Sequence, residues 1–165
     1  MEWGSISDIV IAISSAIMAI TAAVVAIKWF DNKKTEQTAL LVEQFLKLTY
    51  DTVRSIRALK RVCENRSIKN FDYQSKKVGE FNKAIRLACI SLDFWGEYKT
   101  SAEFNELKDK LKSACYKCRM SSRRAISAEN TIDEEKYEEI IQCCENYIVL
   151  HKKLRKLSLK NMLNK

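Results

Sequence analysis

The sequence predicts an all-α protein: one N-terminal transmembrane helix that continues into an antiparallel four-helix bundle in the cytoplasm. Three observations predict it. The 165 residues contain no proline and only three glycines, Gly4, Gly79 and Gly96; tight strand corners need those residues and helix interiors exclude them. Residues 9–30 read IVIAISSAIMAITAAVVAIKWF, with Lys28 as the one charge. Most of the remaining chain repeats apolar residues at spacings of three and four, the period of a helix with one buried face. With 47% of residues hydrophobic and 30% charged, the composition excludes a disordered chain.

Residues 1–8 are expected to form a short extracytoplasmic segment, residues 9–30 the membrane span, and residues 31–165 the cytoplasmic bundle. Roughly 20 apolar residues at 1.5 Å rise cross the ~30 Å hydrocarbon layer of a bilayer. Ser14, Ser15 and Thr21 can return their hydroxyls to carbonyls of the preceding turn. Lys28 can snorkel to the headgroups, Trp29 stands where aromatic belts form, and Trp3 would mark the opposite interface. A cleaved signal peptide would carry a basic leading region and a shorter apolar run. Here the leading MEWGSISD has Glu2 and Asp8 and no Lys or Arg, which favours a retained anchor. Lys28, Lys33 and Lys34 follow the span, so the positive-inside rule places the N-terminus outside and the bulk of the chain in the cytoplasm of a cell carrying it in its inner or plasma membrane.

Within the span, Ser15, Ala19, Ala22, Ala23 and Ala26 fall near one helical face. Small residues let helix backbones approach closely, so this face is a candidate for homo-oligomer formation. The plainer reading is that alanine is common in membrane spans.

The first helix is expected to run on from the span to residue 62, with Leu41, Phe45, Leu48 and Thr52 as its stripe and Val42, Leu46, Val53 and Ile56 widening it. The polar residues 64–70 should end it. A second helix, over about residues 75–95, carries Val78, Phe81, Ile85, Cys89 and Leu92 and stops at Gly96. The third should open on a capping box at residues 100–103, Thr-Ser-Ala-Glu, and bury Phe104, Leu107, Leu111, Cys115 and Cys118. The fourth should open on a second box at residues 131–134 and run to about residue 162. Its acidic first turn suits the positive end of a helix. Tyr137, Ile140, Ile141, Cys144, Tyr147, Ile148, His151 and Leu154 should face inward.

If the first helix leaves the membrane in an up-and-down bundle, the fourth returns to it. That would bring residues 151–165, HKKLRKLSLKNMLNK, to the bilayer surface beside Phe94, Trp95 and Tyr98. Lys152, Lys153, Arg155, Lys156, Lys160 and Lys165 are unopposed there by any acidic residue. An anionic cytoplasmic leaflet attracts each such charge by about 1 kcal/mol, although lysines also complement a helix C-terminus. Lys117, Arg119, Arg123 and Arg124, with Arg66 and Lys69 across the bundle, form a second basic region at the far end. The formal net charge is +8. No nucleic-acid motif accompanies that charge, so lipid headgroups and an unidentified cytoplasmic protein are the expected partners.

Chemistry-bearing patterns are sparse. Cys115 and Cys118 could stand level with Cys143 and Cys144 in an antiparallel hairpin and offer zinc four thiolates. Adjacent helical residues, however, diverge by about 100° and serve one tetrahedral ion poorly. The plainer reading of these thiols is small buried apolar side chains. His151 is the one histidine, and the chain has no glycine-rich phosphate loop, carboxylate–histidine pair or serine elbow. A non-enzymatic, cofactor-free, membrane-anchored interaction or regulatory module is therefore expected. The alternative is a holin-like or toxin-like effector that oligomerises through its transmembrane helix.

A span leading into NKKTEQTALLVEQFLKLTYD, an amphipathic helix, resembles the layout of small bacterial and phage single-pass membrane proteins of uncharacterised function. The resemblance lies in organisation over the first ~60 residues and carries no functional residue with it.

Overall fold

The computed structural model describes residues 6–96, 99–125 and 132–163. Trp3, Tyr98, Thr131 and Lys165 lie outside the described residues, as does the side chain of Lys160. The described chain is helical: α1 (Ile6–Glu64), α2 (Ile68–Gly96), α3 (Ala102–Ala125), α4 (Glu134–Lys156) and the one-turn α5 (Leu159–Met162). It divides into two compact units, Met1–Glu36 and Gln37–Lys165, and α1 contributes to both.

The first unit consists of the early turns of α1. Its side chains from residue 9 onward are exposed on every face, Lys34 excepted, which is half-buried. Thr21 Oγ1 donates to the carbonyl of Ile17 at 2.8 Å, as expected of a hydroxyl in an apolar stretch. Trp29 and Phe30 pack edge to face with ring centroids 5.0 Å apart.

The second unit is an antiparallel up-and-down bundle. Thr38 near the start of its α1 segment donates to the carbonyl of Trp95 at the end of α2, at 3.2 Å. Ser75 of α2 meets Ser122 of α3 at 3.0 Å, and Ser121 of α3 donates to Glu139 of α4 at 2.7 Å. Lys60 of α1 pairs with Glu145 of α4 at 2.9 Å. Rings reach across the middle: Phe45 meets Phe104 edge to face, and Phe71 meets Tyr137. Val42, Phe45, Val53, Ile56, Ile85, Leu111, Ile140 and Tyr147 are each at most 1% exposed and fill the centre.

Several boundaries differ from the sequence reading. The break after α1 spans only residues 65–67, and α2 starts at Ile68 rather than near residue 75, because Phe71 is buried and draws the intervening turns onto the core. The α1 stripe is centred on Val42, Phe45, Thr49, Val53 and Ile56, while Leu41, Leu46 and Leu48 are half-buried at its margin. Phe81 is likewise marginal, and the neighbouring Asn82 is fully buried in its place.

The cap of α3 is Ser101, whose Oγ accepts from the Phe104 N–H at 3.2 Å. Thr100 instead is buried, its hydroxyl within reach of the Gly96 carbonyl at 2.9 Å and Asn105 Oδ1 at 3.1 Å. At α4 the capping position is Asp133, which makes no side-chain cap bond and pairs with Lys136 at 2.9 Å. Gly96 ends α2 as expected, for a packing reason: a Cβ there would come within 2.9 Å of the Thr38 methyl.

The largest departure is in α4, which ends at Lys156 instead of running to residue 162. Leu157 and Ser158 are extended, and Ser158 Oγ accepts from the Asn161 N–H to start α5. The turn folds the tail back over the bundle: Met162 is 2% exposed, its carbonyl accepts from the Ser101 N–H at 2.8 Å, and Leu163 bridges Thr100. A straight continuation of α4 would have carried these apolar side chains away from that contact.

Candidate functional site

Three surfaces and one buried cluster collect the residues singled out in the sequence. Ser15, Ala19, Ala22, Ala23 and Ala26 are all exposed on the first unit, as are Lys28 and Lys33, while Lys34 is half-buried. Lys33 reaches Glu36 one turn on at 3.5 Å. Among the described residues, α1 is the one helix long and apolar enough to cross a membrane. Twelve large apolar side chains between residues 9 and 30 are exposed, each roughly 50–70% of its surface or close to it. Leaving so many in water forgoes on the order of 20 kcal/mol of burial, more than the ~5–15 kcal/mol net stability of a typical domain. That stretch needs an apolar cover.

The second surface is the end of the bundle where Thr38, Gly96, Thr100 and Leu163 come together. The expected neighbourhood of the C-terminal tail and the α2–α3 connection is therefore present, made by the fold-back of α5 rather than by a long α4. Lys152, Lys153, Arg155 and Lys156 are exposed on the last turns of α4. Nearby acids are partly neutralised: Asp93 is held by the buried Lys108, and Glu106 by Lys110, whose hydrogen bond together with the more distant Lys153 draws the Glu106 carboxyl below its ordinary range. Phe94 is 76% exposed and packs edge to face on Trp95, which is 46% exposed. Sequence reasoning noted these two rings. It missed Leu87 and Ile90, exposed two turns and one turn earlier on the same helix, because periodicity locates the buried face and is silent about surplus apolar residues outside it.

At the opposite end the basic region is smaller than the sequence suggests. Arg66 is committed to α4, paired with Glu134 and, at 3.0 Å, with Glu138, and its guanidinium lies 4.9 Å from the centre of the Tyr137 ring. These hydrogen bonds raise its already high pKa further. Arg119 and Arg123 line an open groove with Lys83 and Gly79 between α2 and α3, of about 530 Å³.

The cysteines are free thiols. Cys115, Cys118 and Cys144 are fully buried, whereas Cys143 is half-buried and turned to Ser121, with Sγ 3.7 Å from Oγ. Among the described residues no group of three or more His, Cys, Asp or Glu is placed to hold a metal ion. The divergence of the adjacent Cys143 and Cys144 separates the four candidate thiols. Burial pushes the Cys115 and Cys63 thiols up to about 12 and the Cys89 thiol up to about 11. The hydrogen bond with Cys144, then burial, drives Cys118 far above its ordinary value. Such thiols are packing groups and poor nucleophiles.

His151 is 3% exposed in a small apolar recess with Leu46, Tyr50, Leu154 and Met162, and it carries no acidic neighbour there. Burial, reinforced by Arg155 and Arg57, depresses its pKa. Comparison with known proteins adds no relative to this arrangement: no family model, no curated protein and no solved structure matches the chain.

Proposed function

We propose that the chain is a membrane-anchored, non-enzymatic interaction module: a single span over residues 9–30 that tethers a basic helical bundle to the cytoplasmic face of a cell membrane. The exposure of apolar side chains all round residues 9–30 of α1 carries this reading, since lipid covers every face of a lone helix at once. The lysines after the span set its direction. The buried thiols and the buried His151 are suited to packing, which leaves the surfaces of the bundle as what it offers a partner.

The test is fractionation of the full chain with protease protection and intact-mass analysis. The protein should remain in the membrane pellet after alkaline extraction with its N-terminal residues still attached, and protease added to intact cells should spare its bulk. A soluble product, or one trimmed before residue 31, ends the proposal. Capture from mild detergent should then recover a cytoplasmic protein in fixed stoichiometry.

A second reading is favoured by the small-residue face: Ala19 and Ala23 are open to a second copy of the same helix. In that reading the spans assemble into a holin-like or toxin-like lesion. Expression should then depolarise cells, and Ala19→Leu with Ala23→Leu should abolish the effect.

A further inference from the structure

We propose that the end of the bundle carrying Phe94, Trp95 and Leu159 is itself a lipid-contacting surface, seated in the headgroup layer of the anionic membrane that holds the span. The inference rests on the anchored reading above and adds to it which part of the bundle meets the bilayer.

Phe94 is the most exposed large apolar side chain described in the second unit, and with Trp95 it forms an aromatic pair at the terminus of α2. Ile90 continues the pair one turn back at 60% exposure, and Leu159 on α5 is exposed at the same end, which the Thr100–Leu163 bridge and the Ser101–Met162 hydrogen bond draw together. Single exposed apolar residues are ordinary, but a contiguous group of them marks a contact surface.

Three arguments select lipid as the occupant. First, the bundle begins at Gln37, only seven residues beyond Phe30. Even fully extended, that length of chain is at most about 25 Å, so this end cannot leave the neighbourhood of the bilayer. Second, the charge is complementary: Lys152, Lys153, Arg155 and Lys156 are exposed on the last turns of α4, which lead into the tail at this end of the bundle, and residues 151–163 contain no acidic side chain. Third, the pairing of Trp and Phe with lysines is the chemistry of the membrane interface, where rings settle among headgroups while ammonium groups hold phosphates. A protein partner would leave the proximity to the bilayer unexplained.

The chain has three tryptophans, so Trp3→Phe with Trp29→Phe leaves Trp95 as the sole emitter in the full-length protein. Reconstituted into symmetric vesicles of mixed phosphatidylglycerol and phosphatidylcholine, which present the same surface to either orientation, this variant is followed by flotation and by quenching with brominated lipid. The expected result is flotation, blue-shifted Trp95 emission and efficient quenching by lipid brominated near the headgroup. Quenching should fall in pure phosphatidylcholine and in high salt. Each of Lys152→Gln and Lys153→Gln should lower the docked-to-undocked ratio about fivefold, and Phe94→Ser, at a site outside the buried core, should lower it further.

Flotation with red-shifted, unquenched Trp95 at every lipid composition overturns the inference while leaving the anchor intact. Blue-shifted but unquenched emission that disappears as protein is diluted into more lipid also overturns it, in favour of contact between copies. A protein that does not float refutes the anchored reading itself, and this inference with it.

Discussion

Between residues 9 and 30, helix α1 turns large apolar side chains outward on every face, whereas between residues 42 and 59 it gathers them, Tyr50 excepted, on one buried stripe and its margin. The two stretches share a backbone conformation and differ in what each requires of its surroundings. The later stretch is satisfied by α2, α3 and α4, and its outer face carries Glu43, Lys47 and Arg54 to water. The earlier stretch has no polar face to offer and must find an apolar medium. A single helix can therefore serve as a core element along one part of its length and as a solvent-selecting element along another. The number of apolar faces tells the two apart.

Substitutions that strike one stretch and spare the other test this contrast. The largest effect should come from the bundle core. Phe104 is fully buried against Phe45, and Phe104→Ala should cost about 3–5 kcal/mol in urea unfolding followed by circular dichroism; a loss too small to resolve would mean that the two rings do not share a core. Next is a charge in the exposed stretch. Val24→Lys should cost about 2.5–3.5 kcal/mol of membrane insertion, read as a shift of protein out of the membrane fraction, with the unfolding midpoint of the bundle unchanged. If that midpoint moves instead, residues 9–30 are serving the core after all.

A smaller effect of opposite sign is expected at Asn82, whose buried amide N and O have no hydrogen-bond partner among the described residues. Asn82→Leu should raise stability by roughly 1–3 kcal/mol, and a destabilised variant would show that the amide is satisfied. The smallest concerns pH. Because His151 has its pKa lowered in the folded chain, chiefly by burial, the unfolded chain takes up the proton first on acidification. Stability is thus full above the ordinary histidine pKa of about 6.5 and declines as pH falls from there toward the folded value. His151→Gln should flatten that decline in thermal melts between neutral and mildly acidic buffer, and an unchanged slope would assign it to carboxylates.

Much of the fold was legible in the sequence where spacing was strict. The α3 line of Phe104, Leu107, Leu111, Cys115 and Cys118 is buried as read. The α1 stripe was misjudged in part because Thr49 hides its polarity, donating to the Leu46 carbonyl of the preceding turn at 2.8 Å. A threonine so satisfied behaves as a small apolar residue, and a pattern built on side-chain type scores it wrongly. The break after α4 was missed because lysine and leucine continue a helical rhythm through it. The signal lay in Ser158, three residues before Asn161, whose N–H it caps. Of the candidate surfaces, the long apolar stretch of α1 was readable from composition and length. The exposure of Ile90 and Phe94 depends on which face of α2 the other helices cover, a tertiary fact that the sequence of α2 does not contain.

Arg66 in the α1–α2 turn holds a left-handed backbone, with φ 50°, that a side chain enters at a cost. Its guanidinium recovers that cost by gripping Glu134, Glu138 and the Cys63 carbonyl. The position is consequently a local compromise with no simple improvement: Arg66→Gly would relax the chain and release α4, while Arg66→Lys would keep the charge and lose the fork. Engineering for thermostability should leave residue 66 alone and look elsewhere in the loop.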